Sequence, residues 1–431
     1  MTRTGRWLVG GAAGLVAVGA LGAALLAWWV PSEAELAARL GSEFEQRTGI
    51  GLKVGRLHWS VFPVARVVLE DVATVQEEPI RIRRLEVNPR LRPLLSREVH
   101  VDSVSLDGVA LPRESVRAFR GKAVTPASAG ANWTLAPVPV DQVRFTELTW
   151  VDRSDIPLAY DGRIDFDPQW RPRIAEASRH GVTPPAQLRL EREGDADRWK
   201  TLIDIGGGTW NGVSELATQK DGSVLFTAQL APRNVDIELL MKTFDRRTPV
   251  AGKASGQTEV RAVGDSLGEL WRQATTRTRF SVQPATLTRF DLAKAIQTAG
   301  TSRGGRTPLD ELTGTLDTEG TDDGMRFHYR DLKARSGVLT ASGSARIYHR
   351  KIDGELAVDL VDGVVGVPLK VSGTLDDPTL SLTGGALTGA AIGTAVLPGV
   401  GTAIGARIGQ QVERIFGDDA KKPTPKGPRA P

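Results

Sequence analysis

The sequence predicts a mainly β protein that follows a single N-terminal membrane-spanning helix. Apolar and polar residues alternate over many short stretches, which is the period of β-strands. The chain has 47 glycines, and aromatic residues make up 6% of it, as suits strands joined by many turns. We expect a large curved antiparallel β-sheet or groove, a few short helices and a C-terminal glycine-rich helical hairpin.

The predicted membrane anchor is an apolar stretch over residues 7–30 that no charged residue interrupts. It is long enough to cross a bilayer as one helix. Two arginines precede it, which by the positive-inside rule places the N-terminus in the cytoplasm, and Trp28 and Trp29 form an interfacial pair at its far end. A cleaved signal peptide is the alternative, but it would normally end in a small-residue cleavage site. We therefore expect an uncleaved anchor.

An amphipathic helix is predicted directly after the anchor. Ser32 and Glu35 have the spacing of a capping box, and Gly49 is placed to end the helix. Its apolar face carries Leu36, Leu40 and Phe44. Such a helix either lies on the bilayer surface or closes one end of the β structure that follows. The pattern favours the second arrangement.

Several predicted strands share one apolar spacing of two, three and two residues. The copies are Leu52/Val54/Leu57/Trp59, Ile80/Ile82/Leu85/Val87, Val99/Val101/Val104/Leu106 and Val143/Phe145/Leu148/Trp150. A spacing of three would turn the second pair to the opposite face unless a β-bulge absorbs the extra residue. The recurrence favours bulged, strongly bent strands with one continuous apolar face. That face either packs into a closed core or is left for a ligand to fill.

Composition divides the chain into seven segments. They are the cytoplasmic start and anchor (1–30), an N-terminal β region (31–120), a Pro/Ala/Ser-rich linker (121–139), a central β region (140–300), a C-terminal β meander (301–382), a glycine-rich helical hairpin (383–417) and a disordered tail (418–431). Helices are expected near 236–244 and 291–299 in the central region. Glycines at a spacing of four predict the hairpin, and whether it enters a membrane stays open.

The residues that carry chemistry form no recognisable catalytic or metal-binding motif. The net charge of +4, from 55 basic and 51 acidic residues, does not describe a nucleic-acid-binding protein. The absence of cysteine excludes disulfides, thiolate zinc sites and cysteine nucleophiles. The five histidines lack metal-ligand spacing on a common helix, and Gly206-Gly207-Gly208 lacks the lysine of a phosphate loop. We expect no catalytic residue, no metal and no cofactor.

Three regions of the sequence resemble the AsmA family of bacterial envelope proteins. The matching segments are FEQRTGIGLKVGRLHWSVFP, LRPLLSREVHVDSVSLDGVAL, and TPLDELTGTLDTEG with LKARSGVLTASGSARI and VSGTLDDPTLSL. The resemblance implies a periplasmic domain hung from the inner membrane by a single span. It also implies a chorein-like N-terminal part and β-sheets curled into an apolar groove. Members of the family are linked to outer-membrane biogenesis and to phospholipid movement.

The resemblance further implies which residues touch lipid. Val54, Leu57, Ile82, Leu85, Val101 and Val104 would line the groove near the membrane, and the helix with Leu36, Leu40 and Phe44 would stand where lipid enters. The expected partners are phospholipid or another envelope lipid, the inner membrane and outer-membrane assembly proteins. The alternative is a periplasmic scaffold whose β faces pack on themselves and which organises protein partners without carrying lipid.

Overall fold

The computed structural model describes residues 32–62, 64–96, 98–119, 134–151, 155–264, 267–292, 294, 304–321, 323–337, 339–360, 367–375 and 377–382. The predicted anchor, the glycine-rich hairpin and the C-terminal tail lie outside these residues, as does most of the predicted linker. Within the described part of the chain, no helix has the length and apolar character needed to cross a membrane.

The prediction of a mainly β fold is confirmed, since the described residues form 21 strands that hydrogen bonds join into one mixed sheet. The strands are β1 (Leu52–Ser60), β2 (Arg66–Thr74), β3 (Arg81–Pro89), β4 (Glu98–Leu111), β5 (Thr134–Val151), β6 (Pro157–Phe166), β7 (Pro172–Arg179), β8 (Gln187–Arg192), β9 (Arg198–Ile205), β10 (Gly208–Thr218), β11 (Val224–Arg233), β12 (Val235–Asp236), β13 (Val250–Gly264), β14 (Thr275–Leu287), β15 (Thr307–Leu309), β16 (Glu311–Thr321), β17 (Gly324–Arg335), β18 (Leu339–Tyr348), β19 (Lys351–Leu360), β20 (Val367–Gly373) and β21 (Pro378–Leu382). The helices are α1 (Glu33–Thr48), α2 (Leu91–Leu95), α3 (Arg113–Arg117), α4 (Ile237–Thr243) and α5 (Leu267–Arg272).

The expectation of an antiparallel sheet is wrong at one pair of strands. β4 and β5 run parallel, with Glu98 opposite Thr134 and Leu111 opposite Trp150. A parallel pair needs a connection long enough to return to the same end of the sheet, and residues 112–133 separate the two strands in the sequence. β5 also begins inside the segment expected to be a linker.

The described residues fall into two compact units. The first is drawn from Met1–Ala231, Leu239–Arg246 and Val260–Ala274, and the second from Pro232–Glu238, Arg247–Glu259 and Thr275–Pro431. Each unit has its own hydrophobic core. In the second unit, β16 to β21 form the expected antiparallel meander. Its buried residues include Val282, Leu309, Leu339, Val358, Leu369 and Leu380.

Helix α1 has an N-cap and a C-cap, but the predicted capping box is only half formed, since the Glu35 carboxylate pairs with Arg39 Nη2 at 2.7 Å. The Ser32 hydroxyl accepts a hydrogen bond from the backbone N–H of Glu35 at 3.3 Å, which satisfies one free donor of the first turn. At the other end Gly49 takes a left-handed conformation with φ of 65°. The apolar face of α1, carrying Leu36, Leu40 and Phe44, is buried in the core of the first unit.

The repeated spacing of three residues keeps one continuous apolar face, as predicted, but mostly without a shift of register. Val54 lies opposite Val72 and Leu57 opposite Leu69, so each extra residue of β1 is matched by one in β2. At the same level of the sheet Asp71, Gly108 and Glu147 take positive φ. A bulge that shifts the register at this level occurs between β5 and β6. The extra residue in the apolar spacing is therefore found at the same level in the neighbouring strands from β1 to β5.

Candidate apolar binding face

One surface of β5 to β10 in the first unit is apolar and half-buried. Residues that pair across antiparallel strands project to the same side. The cross-strand pairs Val143–Ile164, Ile164–Ala175 and Ala175–Leu190 carry the apolar character from β5 to β8. Leu188 lies opposite Ile203, which continues it to β9. We call this surface the apolar face; its half-buried members are Phe145, Leu148, Trp150, Tyr160, Ile164, Leu188, Leu190, Ile203 and Trp210.

The opposite surface of the same strands carries ion pairs. Arg163 Nε lies 2.9 Å from Glu176 Oε2, and Arg189 bridges Glu176 and Glu191. These side chains are partly exposed, so each pair contributes little to the free energy of unfolding. Their position on one face matters more for the pairing register, because a one-residue slip of any strand would bring charged side chains onto the apolar face.

The six residues predicted to line a groove lie together, but in a closed core. Leu57, Ile82, Leu85, Val101 and Val104 are buried, and Val54 is partly buried. The exposed fractions of Leu85 and Val101 are 0%. All six pack in one cluster with Leu36, Leu40 and Phe44 of α1. Helix α1 and these residues therefore form a continuous hydrophobic core.

The accessible part of the apolar face lies on later strands than the sequence predicted. Leu188 and Leu190 alternate with polar residues in β8, so their strand was expected, but no binding role was assigned to it. Trp210 and Ile203 were not singled out at all. The signal that could have found Ile203 is the pairing register, since it lies opposite Leu188 only when β8 and β9 are aligned.

Charged residues at one end of the apolar face neutralise one another. The Arg192 side chain is 3% exposed; its Nη2 donates to Asp197 Oδ1 at 2.5 Å, and its Nη1 lies 3.4 Å from Asp167 Oδ2. Its guanidinium also lies over the Trp199 ring, 5.4 Å from the centroid. Partial burial raises the pKa of Asp167, but hydrogen bonds from Arg171 outweigh burial and hold that pKa below 3.8. The cluster stabilises two turns and presents no unpaired charge to a ligand.

A second polar cluster joins His100, Asp102 and Asp141, whose potential ligand atoms lie within 4.8 Å of one another. Arg90 donates to both carboxylates, with Nη2 2.7 Å from Asp141 Oδ2. His100 Nε2 lies 3.1 Å from Asp141 Oδ1. The guanidinium supplies the positive charge that a metal ion would bring, so the group is an ion-pair network.

The predicted interfacial pair Trp28 and Trp29 lies outside the described residues. No protein-family model, curated protein or solved structure matches the chain.

Proposed function

We propose that the chain is a non-enzymatic protein of the bacterial cell envelope, held at the inner membrane with its bulk in the periplasm. There it binds lipid acyl chains on the apolar face and supports phospholipid transfer or outer-membrane assembly. The observation that carries this proposal is the apolar face itself, half-buried across six strands and opposite an ion-paired surface. The sequence segments that resemble the AsmA family support the cellular setting.

The dimensions of the apolar face suit an acyl chain. Six strands at a spacing of about 4.8 Å span about 24 Å. One leaflet of a bilayer has about 15 Å of hydrocarbon, half of the roughly 30 Å core. Each buried methylene contributes about 0.8 kcal/mol, so a single acyl chain binds without polar contacts. Because the buried charges near the face are already paired, we expect selection for acyl chains rather than for a head group.

The test is native mass spectrometry with lipid extraction on the full chain, and β9 offers a matched pair of variants. Leu202 and Ile203 are adjacent and half-buried, but Ile203 pairs with Leu188 on the apolar face and Leu202 pairs with Arg189 on the charged face. We compare the wild type with Ile203→Asp and Leu202→Asp. Val101→Asp is a poorer probe, because a carboxylate at a fully buried position unfolds the core.

Phospholipid on the wild type and on Leu202→Asp, and its loss from a folded Ile203→Asp, is the expected result. Circular dichroism and thermal unfolding establish that both variants are folded. Equal lipid on both variants would contradict binding at the apolar face.

The scaffold alternative is favoured by the packing under α1. There the residues predicted to line a groove are buried in a core with α1. This packing is expected for a scaffold whose β faces pack on themselves. A compact wild type that yields no lipid on extraction would support this alternative and would remove the lipid-binding proposal.

A further inference from the structure

The connection between β1 and β2 exposes large apolar side chains. The exposed fractions of Val61, Phe62 and Val64 are 48%, 89% and 63%. Leu91, the first residue of α2, is 44% exposed. Single exposed apolar residues are common, but several at one place mark a surface that contacts something. We call these four residues the apolar tip.

The register places the members of the apolar tip at the same end of the sheet. Ser60 lies opposite Arg66, so Val61, Phe62 and Val64 connect the end of β1 to the start of β2. Val67 at the start of β2 lies opposite Val87 near the end of β3. Leu91 follows the end of β3 by two residues, so it lies at the same end of the sheet.

The chain enters the first unit at this same end. Glu33, the first residue of α1, has its Oε1 3.2 Å from Nδ1 of His58, which lies two residues before the end of β1. The segment that precedes Ser32 includes the uninterrupted apolar residues 7–30. The helix that follows the most apolar stretch of the sequence therefore begins next to the apolar tip.

The charges around the tip suit an anionic surface. Arg66 and Arg92 are exposed beside it, and neither is ion-paired with a carboxylate among the residues that the structure describes. Of the acidic residues at this end, Glu33 lies 3.2 Å from His58, Asp102 pairs with Arg90, and Glu98 is half-buried. Lipid phosphates attract such arginines, while apolar side chains enter the boundary between head groups and acyl chains.

From this arrangement we infer that the apolar tip inserts into the interface of a phospholipid bilayer, next to the N-terminal apolar segment, and so fixes the orientation of the first unit on the membrane. The inference shares the membrane placement of the proposed function and does not depend on lipid binding at the apolar face. A bilayer is the occupant because the tip is apolar and because α1, which begins at the same end of the sheet, is preceded in the sequence by the apolar residues 7–30.

The chain lacks cysteine, so single cysteines can be labelled without background. We place an environment-sensitive fluorophore at Phe62→Cys and, as a matched control, at Val75→Cys. Val75 is 54% exposed and follows β2 at the opposite end, roughly 30 Å away along a nine-residue strand. The full-length variants are reconstituted in vesicles of phosphatidylethanolamine and phosphatidylglycerol, and quenching by spin-labelled lipid is compared with quenching by aqueous iodide.

We expect the label at position 62 to be quenched several-fold more by spin-labelled lipid than the label at 75, and the reverse order for iodide. A vesicle-bound chain whose label at 62 is as open to iodide as the one at 75 overturns the inference and leaves the proposed function standing. A chain that does not float with the vesicles overturns the shared membrane placement. A lipid-free wild type in mass spectrometry removes binding at the apolar face alone.

Discussion

His180 and Asp161 form a hydrogen-bonded pair in the first unit, with Nδ1 of the imidazole 2.8 Å from Oδ2 of the carboxylate. The hydrogen bond to Asp161 raises the pKa of His180 above its ordinary value of 6.5, and the charge of Glu147 adds to the effect. Because the pKa is raised in the folded state, the stabilisation is fully present below pH 6.5 and is lost as the pH rises through the folded pKa.

Replacing Asp161 with Asn tests this pair. NMR titration of His180 should show a pKa above 6.5 in the wild type and a lower one in Asp161→Asn. Stability measured from acidic to mildly alkaline pH should fall more in the wild type than in the variant. Identical His180 titrations in the two proteins would contradict the pairing.

The packing of α1 on the sheet predicts a large difference between two neighbouring residues. Leu40 is 1% exposed, whereas Arg39 is exposed and pairs with Glu35 at 2.7 Å. Leu40→Ala should lower the free energy of unfolding by about 2–5 kcal/mol through lost contacts and a cavity. Arg39→Ala should lower it by only about 0.3–0.5 kcal/mol.

Tryptophan fluorescence during urea unfolding measures this difference in one unit, because all ten tryptophans fall within the sequence ranges of the first unit. Similar unfolding midpoints for Leu40→Ala and Arg39→Ala would mean that α1 does not cover the core in solution.

Because β18 and β19 approach closely at Gly343, a larger side chain at this position of the second unit should destabilise the fold. A Cβ added at Gly343 would lie 2.1 Å from the backbone oxygen of Glu355, whereas one added at Gly337 meets no atom within 4 Å. Gly343→Ala should therefore lower the thermal unfolding midpoint by several degrees or prevent folding, because the two strands must separate. Gly337→Ala should leave it nearly unchanged, and equal midpoints by circular dichroism would contradict the register.

Local features of the sequence predicted local features of the fold. The caps of α1 could be predicted because each acts locally: Ser32 on the first turn of the helix and Gly49 on the last. The two-three-two spacing likewise predicted that Leu57 and Leu85 share one apolar face, which the structure places in the core. The parallel pairing of β4 with β5 could not be predicted, because it depends on where a long connection returns.

At the candidate site too, the sequence could not predict features that depend on residues distant in the chain. Val101 and Leu190 both belong to alternating apolar strands, and nothing local distinguishes them. Their different exposure follows from α1, which packs in one cluster with Val101, while Leu190 on β8 remains half-buried. Coverage of a sheet by a distant helix is a tertiary property, so alternation could identify the apolar surface but not its accessible part.

Asp317 of the second unit predicts an acid-dependent loss of stability. Its carboxylate accepts hydrogen bonds from Arg277 Nε at 2.8 Å and from Arg330 Nε at 2.7 Å. Partial burial raises the pKa of Asp317, but the two arginines outweigh burial and hold the pKa below 3.8. A lowered folded pKa stabilises the protein above pH 3.8, and this stabilisation disappears as the pH falls through the folded value.

Asp317→Asn should therefore lower the free energy of unfolding by about 1–2 kcal/mol near pH 7, because two charge-assisted hydrogen bonds weaken. The difference between the variant and the wild type should shrink as the pH is lowered below about 4, where the wild-type carboxyl also becomes neutral. Denaturation followed by circular dichroism at a series of pH values measures both effects. Asp353→Asn is the control, because Asp353 is mostly exposed and its nearest cation, Lys370 Nζ, lies 3.9 Å away. A pH-independent difference for Asp317→Asn, or an equal effect in the control, would mean that the two arginines do not stabilise the ionised carboxylate.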